Sequence, residues 1–327
     1  MNLVFAGDRC CDHSPSSGYD QICSLFPDAG WLSGRALERG EVVWHREPAA
    51  SVAEAPDVFH VFYGDCSGKP LPVLLRERFP GAVIVSSAHQ PVGRLMSDAP
   101  ALAALKASDA IVTVSELQRR ELIEAGLTVP VHAVPHGVWT SVFRPRPSAD
   151  GDRRKDVLFV GSFLRDWEEA KQVAAELARE GIRPIALGAG PREHLAGDVP
   201  IDVAPRVSEE ELARMYDRAA AVFLPFLEAT ASNALLEAMA AGCPVVCRRL
   251  PSLIDEYLGD DSDTYDAGRS DRAAARLLHY VRNPGAREAK SAELIARAEQ
   301  FDWSRIKDRY AAIFAQAAAA STAPALL

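Results

Sequence analysis

Along the chain, short apolar runs rich in β-branched residues alternate with longer stretches whose apolar positions recur every three or four residues. Leu3 to Ala6, Val58 to Phe62, Ala82 to Ser86, Ile111 to Val114 and Val131 to Val134 form a first series of such runs. Val157 to Val160, Pro184 to Leu187, Ile201 to Val203, Ala221 to Leu224 and Val245 to Val246 form a second. The runs lack polar alternation, as parallel strands covered on both faces by helices do, so the pattern predicts repeated βα units. Start and stop signals mark several of the helices. Ser115-Glu-Leu-Gln118 is a capping box closed by Gly126. Ser208-Glu-Glu-Glu211 is another, leading into Leu212, Met215, Tyr216 and Ala219 on one face. Asp166 predicts the cap of a helix with the stripe Trp167, Ala170, Ala174, Leu177 and Ala178, ending at Gly181.

Between the two series lies Phe143-Arg-Pro-Arg-Pro-Ser-Ala-Asp-Gly-Asp-Arg-Arg-Lys155, whose proline and charge read as a linker. A length of 327 residues also exceeds what one compact core usually holds. The expectation is an α/β protein of two Rossmann-like domains, residues 1–147 and 148–300, followed by 301–327. In that last segment Phe301-Asp-Trp303-Ser304, with Ile306, Tyr310 and Phe314, reads as a capped terminal helix. The Ala-rich end from Ala317 to Leu327 reads as a frayed helix and a flexible tail.

Charge narrows the partners. The formal net charge is −9 and the acidic excess is spread along the chain, which argues against a nucleic-acid partner. Small anions stay admissible, because backbone N–H groups and one or two arginines bind phosphate on an acidic protein. The six cysteines, Cys10, Cys11, Cys23, Cys66, Cys243 and Cys247, form no CxxC pair, so reduced thiols and a cytoplasmic location are expected. Cys10, Cys11, His13 and Cys23 lack the spacing of a metal site and read as buried or reduced thiols. The first residues carry no basic segment and too short an apolar run for a secretory leader, and no stretch reaches the ~18 uncharged apolar residues of a membrane span, so neither is expected.

Val222 to Val246 carries the chemistry. It reads as a strand, a loop of small residues from Ala229 to Ser232, a helix ending at Gly242, and a strand begun by Pro244. Small residues let a ligand approach the backbone, and the open amides of a helix start favour an anion there. Asn233 and Glu237 are four apart and share a helix face. A carboxylate one turn from a phosphate suits sugar hydroxyls, as acidic residues serve ribose in dinucleotide folds. A solvated residue compensating the helix dipole is the plain alternative. Both stay open on the residues alone.

This stretch, with Ala133-Val-Pro-His-Gly-Val138 and Phe143-Arg-Pro145, resembles the retaining GT-B glycosyltransferases of the large family numbered four, the group 1 type. Glu237-Ala-Met-Ala-Ala-Gly-Cys-Pro-Val-Val246 matches the second half of its Glu-x7-Glu signature, and Ala107 to Ser115 and Arg206 to Leu212 also fit. The resemblance implies two Rossmann-like domains with parallel sheets facing across a cleft, and a last helix that returns to the first domain. It implies transfer of a glycosyl group from a nucleoside diphosphate sugar to an acceptor hydroxyl with retention, with no metal and no cofactor beyond that co-substrate. Glu237 would hold the ribose, Thr230, Ala231, Ser232 and Asn233 the donor sugar and phosphate, and Val207 beside Arg206 the base.

The sequence departs from the pattern in two places. The first Glu of the signature would fall at Ala229, and Glu228, one residue early, is the candidate for the donor sugar. The usual Arg and Lys of the diphosphate site fall at Ser162 and Trp167, which leaves Arg165 as the candidate cation. A departing nucleoside diphosphate gathers charge that helix dipoles alone hardly balance. In the first domain the resemblance marks Gly18, in the loop after the first strand, and His89, after a buried strand where α/β sheets place ligands.

Two other classes compete with this expectation. One is a weakened GT-B subunit that binds a sugar nucleotide as regulator or scaffold. The other is a sugar-nucleotide 2-epimerase or dehydrogenase, although Gly7-Asp-Arg-Cys-Cys supplies no GxGxxG. The base, the sugar, the acceptor and the oligomeric state leave no readable trace. Peripheral membrane contact also stays open, with no basic amphipathic helix in evidence.

Overall fold

The computed structural model describes residues 1–9, 14–47, 56–65, 71–146, 155–195, 199–204 and 206–322. The readings placed on Cys10, Cys11, His13 and Cys66, the middle of the expected linker and the tail beyond residue 322 lie outside them. The chain divides into two units: Met1–Cys10, Gly18–His136 and Trp303–Leu327 make the first, and Cys11–Ser17 and Gly137–Asp302 the second.

The first unit holds a seven-stranded sheet in the order β3-β2-β1-β4-β5-β6-β7. Its strands are β1 (Leu3–Ala6), β2 (Gly30–Leu32), β3 (Trp44–Arg46), β4 (Val58–Val61), β5 (Val83–Ala88), β6 (Ala110–Thr113) and β7 (Val131–Ala133). All neighbours pair parallel except β2 with β3. The four residues of β1, β4 and β6 are all buried, which is why these segments read as mainly apolar runs, with His60 and Thr113 buried among them. β2 (Gly-Trp-Leu) and β3 (Trp-His-Arg) escaped the pattern because neither contains a β-branched residue, and β3 is a partly exposed antiparallel edge.

The second unit holds six parallel strands in the order β10-β9-β8-β11-β12-β13. They are β8 (Asp156–Val160), β9 (Ile185–Leu187), β10 (Asp202–Val203), β11 (Ala219–Leu224), β12 (Val245–Arg248) and β13 (Thr264–Tyr265). Side chains alternate through this sheet. Leu158, Val160, Val222, Leu224, Val245 and Cys247 enter one apolar cluster with the helix Asn233–Ala240. Val157, Phe159, Ala221, Phe223 and Val246 enter the other, beneath the helices Trp167–Arg179 and Ser270–Arg282. Two buried faces with period-two partition are what a doubly wound sheet requires.

The caps read from the sequence are present. Ser115, Asp166 and Ser208 each accept a backbone N–H three residues on. Phe143, expected to open the linker, is fully buried in the second unit, with its ring 6.2 Å from that of Tyr216. The units accordingly part between His136 and Gly137, ahead of the compositional boundary. Phe301 and Asp302 stay with the second unit: Val138 N donates to Phe301 O at 2.8 Å, and Thr140 Oγ1 to Asp302 at 2.7 Å. The last helix, Trp303–Thr322, belongs to the first. Among the described residues no helix is long and apolar enough to cross a membrane.

Candidate functional site

In the second unit the chain runs from β8 outward to β9 on one side, then returns to β11 on the other. The carboxyl ends of β8 and β11 therefore flank a topological switch point, where open α/β sheets take ligands. Two loops leave these ends, 161–166 and 225–232. Backbone bonds join them: Asp166 N donates to Pro225 O at 2.7 Å and Leu227 N to Leu164 O at 2.8 Å, with a bridge between Arg165 and Phe226.

The first loop turns on two left-handed residues, Gly161 at φ 92° and Leu164 at φ 52°, the latter the positive-φ residue among the described ones that is not glycine. That path folds Arg165 inward. Its guanidinium donates to Val160 O at 3.2 and 3.3 Å and to Phe163 O at 2.7 Å, and lies 4.2 Å over the Phe226 ring. Arg165 is 9% exposed and forms no ion pair with a carboxylate among the described residues. Burial pulls its pKa down to about 10, with Tyr216 and Cys247 acting in the opposite direction, so it stays charged at neutral pH. It is thus a desolvated cation placed at the switch point, not the solvent-facing arginine of a helix start.

Ser162 is half-buried and accepts from Gly190 N at 2.8 Å, tying this loop to the start of the helix Ala189–His194 after β9. Trp167 stacks on the His194 ring at 5.0 Å and 16°. Phe163 and Leu227, one on each stitched loop, are exposed.

The second loop leads into the helix Asn233–Ala240, capped by Ser232, whose side chain accepts from Leu235 N at 3.4 Å. Thr230 is buried, while Ala231, Ser232 and Asn233 are half-buried. Ser252 Oγ donates to Ala229 O at 2.6 Å and fixes the loop from below. Glu228 lies exposed on the loop, apart from the buried carboxylate that follows. Val207 is half-buried against the core just ahead of the Ser208 cap.

Glu237 is that carboxylate, 5% exposed on the first turns of the helix. Its Oε2 accepts from the Tyr216 hydroxyl at 2.9 Å, and its Oε1 from the Ser17 hydroxyl. Burial drives its pKa up, and the bonds from Ser17 and Tyr216 oppose that without cancelling it. A buried carboxylate held by two hydroxyls is arranged to accept hydroxyls, not to face bulk water as a dipole-compensating residue would. Beside it, Glu209 accepts from Ser16 N at 2.6 Å and Ser16 Oγ at 2.9 Å.

In the first unit the corresponding switch point lies between β1 and β4. Gly18 has φ 98° and precedes the turn Tyr19–Gln21. His89 directly follows β5, and its Nδ1 lies 2.8 Å from Asp65. Asp65 also accepts from the backbone N–H groups of His89 and, at 2.7 Å, Gln90. Burial pushes the Asp65 pKa up, but the His89 charge and these bonds outweigh it and hold it below the usual value. The His89 ring lies 3.6 Å from that of Tyr19, which lies 4.1 Å from His136. His136 in turn meets Trp303 at 5.3 Å.

The structure thus brings Ser162, Arg165, Thr230 to Asn233 and Glu237 to the carboxyl end of the second unit's sheet, with Glu228 exposed on the second loop and Val207 ahead of the Ser208 cap. Gly18 and His89 belong to the first unit. Sequence reasoning missed Asp65, Ser17 and the role of Tyr216. Asp65 follows a buried strand, the same signal that marked His89. Tyr216 reads as one more apolar position of an amphipathic helix, and only its partner reveals the hydroxyl.

Residues 154–283 match the Glycosyl transferases group 1 family. The D-inositol 3-phosphate glycosyltransferase of Acidothermus cellulolyticus is 28% identical over 264 residues, 70% of this chain and 57% of that protein. The O-antigen chain mannosyltransferase B of Escherichia coli is 33% identical over 97 residues, 30% of this chain and 25% of its own length. This chain spans less than two thirds of the length of these curated relatives. Among solved structures, the sucrose-phosphate synthase of Thermosynechococcus elongatus aligns over 98% of this chain and all of its own at TM-score 0.73 and 15% identity. The α,α-trehalose 6-phosphate synthase of Burkholderia multivorans aligns over 98% of both chains at TM-score 0.71 and 15% identity. The segment from 154 to 283, which holds the loops, the cation and the carboxylate described above, is a glycosyl transferases group 1 domain, and the two units of the chain have the GT-B fold.

Proposed function

We propose that this protein transfers a glycosyl group from a nucleoside diphosphate sugar to an acceptor hydroxyl, with retention and without a metal ion. The observation that carries the reading is the switch-point constellation of the second unit: a buried, carboxylate-free arginine on one loop and a hydroxyl-binding carboxylate one turn into the helix after the other. A pyrophosphate lies between these chemistries in a nucleotide sugar, and the pentose diol suits Glu237. Arg165 supplies fixed positive charge beneath the leaving diphosphate, in the place of cations that Ser162 and Trp167 do not provide. Thr230, Ala231, Ser232 and Asn233 meet the phosphate and the sugar, with Glu228 at the sugar's margin, and Val207 lies toward the base. In the first unit, His89, held by Asp65, and the Gly18 turn serve the transferred sugar and the acceptor. Retention follows from attack on the face that the diphosphate leaves, with the leaving phosphate accepting the acceptor's proton. The co-substrate is the sole cofactor in this reading, and the buried thiols Cys23, Cys243 and Cys247 suit the cytoplasm.

The test is transfer in EDTA with UDP-, GDP-, ADP- and dTDP-sugars, using D-inositol 3-phosphate as the first acceptor because the relatives' names contain it. The expected product carries the donor's anomeric configuration, read by NMR. An inverted product rejects retention, and activity that returns only with added Mg²⁺ rejects metal independence. A second reading, a regulator that binds a sugar nucleotide without turnover, draws on Trp167 and Ser162 being committed to packing. Calorimetric binding with no transfer to any acceptor supports it over the first.

A further inference from the structure

Both oxygens of Glu237 are occupied by the protein itself. Oε2 is bound by Tyr216, a side chain with no exposed surface on the helix Glu209–Arg218. Oε1 is bound by Ser17, which has a different character. Ser17 lies in a short segment, Ser14-Pro-Ser-Ser17, that belongs to no helix or strand and goes with the second unit, whereas Gly18, next in the chain, goes with the first. Two carboxylates hold the segment there: Glu237 at Ser17, and Glu209 at the amide and hydroxyl of Ser16. Internal bonds tighten it, with Ser14 Oγ donating to Ser17 Oγ at 2.8 Å and Ser17 N to Ser14 O at 3.0 Å. A serine hydroxyl on a buried carboxylate is the same chemistry that a ribose hydroxyl would bring.

We infer that the Ser14–Ser17 segment is a built-in competitor for the nucleotide pentose, its Ser17 hydroxyl filling the Glu237 position that a ribose diol must take. The inference rests on the reading of Glu237 as the pentose carboxylate. Binding of a nucleoside diphosphate then requires the segment to let go, and the measured affinity is the intrinsic one reduced by the fraction of molecules in which it has done so. Glu209 reinforces the competitor without touching the nucleotide, so loosening either anchor improves binding. The left-handed Gly18, next in the chain, gives the backbone a residue that can change its dihedrals when the segment departs.

Calorimetric titration of the full chain with UDP, GDP, ADP and dTDP tests this. With whichever nucleotide binds the wild type, Ser17→Ala binds about tenfold tighter, the size of one lost charge-assisted hydrogen bond in competition. Glu209→Gln also binds tighter, and it carries the test independently should Ser17→Ala fold poorly. Glu237→Ala weakens binding, and in the Ser17→Ala/Glu237→Ala double variant the gain from Ser17→Ala disappears. If Ser17→Ala and Glu209→Gln both bind no tighter than the wild type while Glu237→Ala still weakens binding, the competitor is rejected and the pentose reading stands. If Glu237→Ala binds as the wild type does, or the wild type binds none of the four, both fall.

Discussion

A carboxylate placed away from water costs the fold unless its charge is matched, and hydroxyl donors match it only in part. Glu237 shows the outcome: burial raises its pKa above the ordinary value despite two bonds. For an acid shifted upward, stability falls as pH climbs past its unfolded pKa, because the folded state resists ionisation. Glu237→Gln should therefore melt no lower than the wild type at pH 8 while binding nucleoside diphosphate at least tenfold more weakly, an opposition of signs that melting curves and calorimetry check. His60 presents the reverse case. It has no exposed surface, packs against the rings of Phe5, Tyr310 and Phe314, and burial lowers its pKa to about 3. Its folded state stays neutral, so its contribution to stability is complete above pH ~6.5 and is lost as pH falls toward 3. His60→Phe should flatten the decline of melting temperature between pH 6.5 and 4, at some cost in absolute stability.

At the scale of elements, the loop after β8 depends on a glycine for two separate reasons. Gly161 sits at φ 92°, and a Cβ there would stand 2.6 Å from the Arg165 guanidinium. Gly126, at φ 86°, closes a helix with nothing near its Cβ position. Gly126→Ala should cost about 1–2 kcal/mol from backbone strain alone. Gly161→Ala should cost more and also displace Arg165, so it alone should weaken nucleotide binding; equal losses in the two would reject the coupling of loop path to cation. Such features mark how far the sequence could be read. Strands buried on both faces announce themselves as apolar runs, and caps such as Ser115, Asp166 and Ser208 are local chemistry, so both were legible. Strands such as Trp44–Arg46, with no β-branched residue and no buried position, lack the apolar run that marked the others. The helix with Glu237 was legible because small loop residues and a glycine stop bracket it. That Glu237 meets Ser17, 220 positions earlier, was not, because pairing across that separation is a property of topology. Glu169 shows the same limit. Three residues after the Asp166 cap and outside the apolar stripe, it is nonetheless buried, accepting from Arg248 at 2.7 Å, Tyr265 at 2.8 Å and Gly268 N at 3.0 Å.

In the molecule as a whole, the first unit is completed by a helix that follows the second unit in sequence. Phe314, fully buried, meets the rings of Phe26 at 5.7 Å and His60 at 5.2 Å, and Tyr310 meets His60 at 5.6 Å. Phe314→Ala should destabilise by about 3–5 kcal/mol, seen as an early melting transition, because the β1 and β4 side chains lose their cover. A first unit that melts unchanged would show that the last helix is dispensable to it. Because residues 137–302 leave one body and rejoin it at 303, that block is an insertion rather than an appended domain. Exchanging it for a relative's counterpart demands two splices, at 136/137 and 302/303, and a host that keeps its own Trp303–Thr322 helix. The serine-rich segment 14–17, which travels with the inserted block in space but not in sequence, would have to be carried across as a third piece.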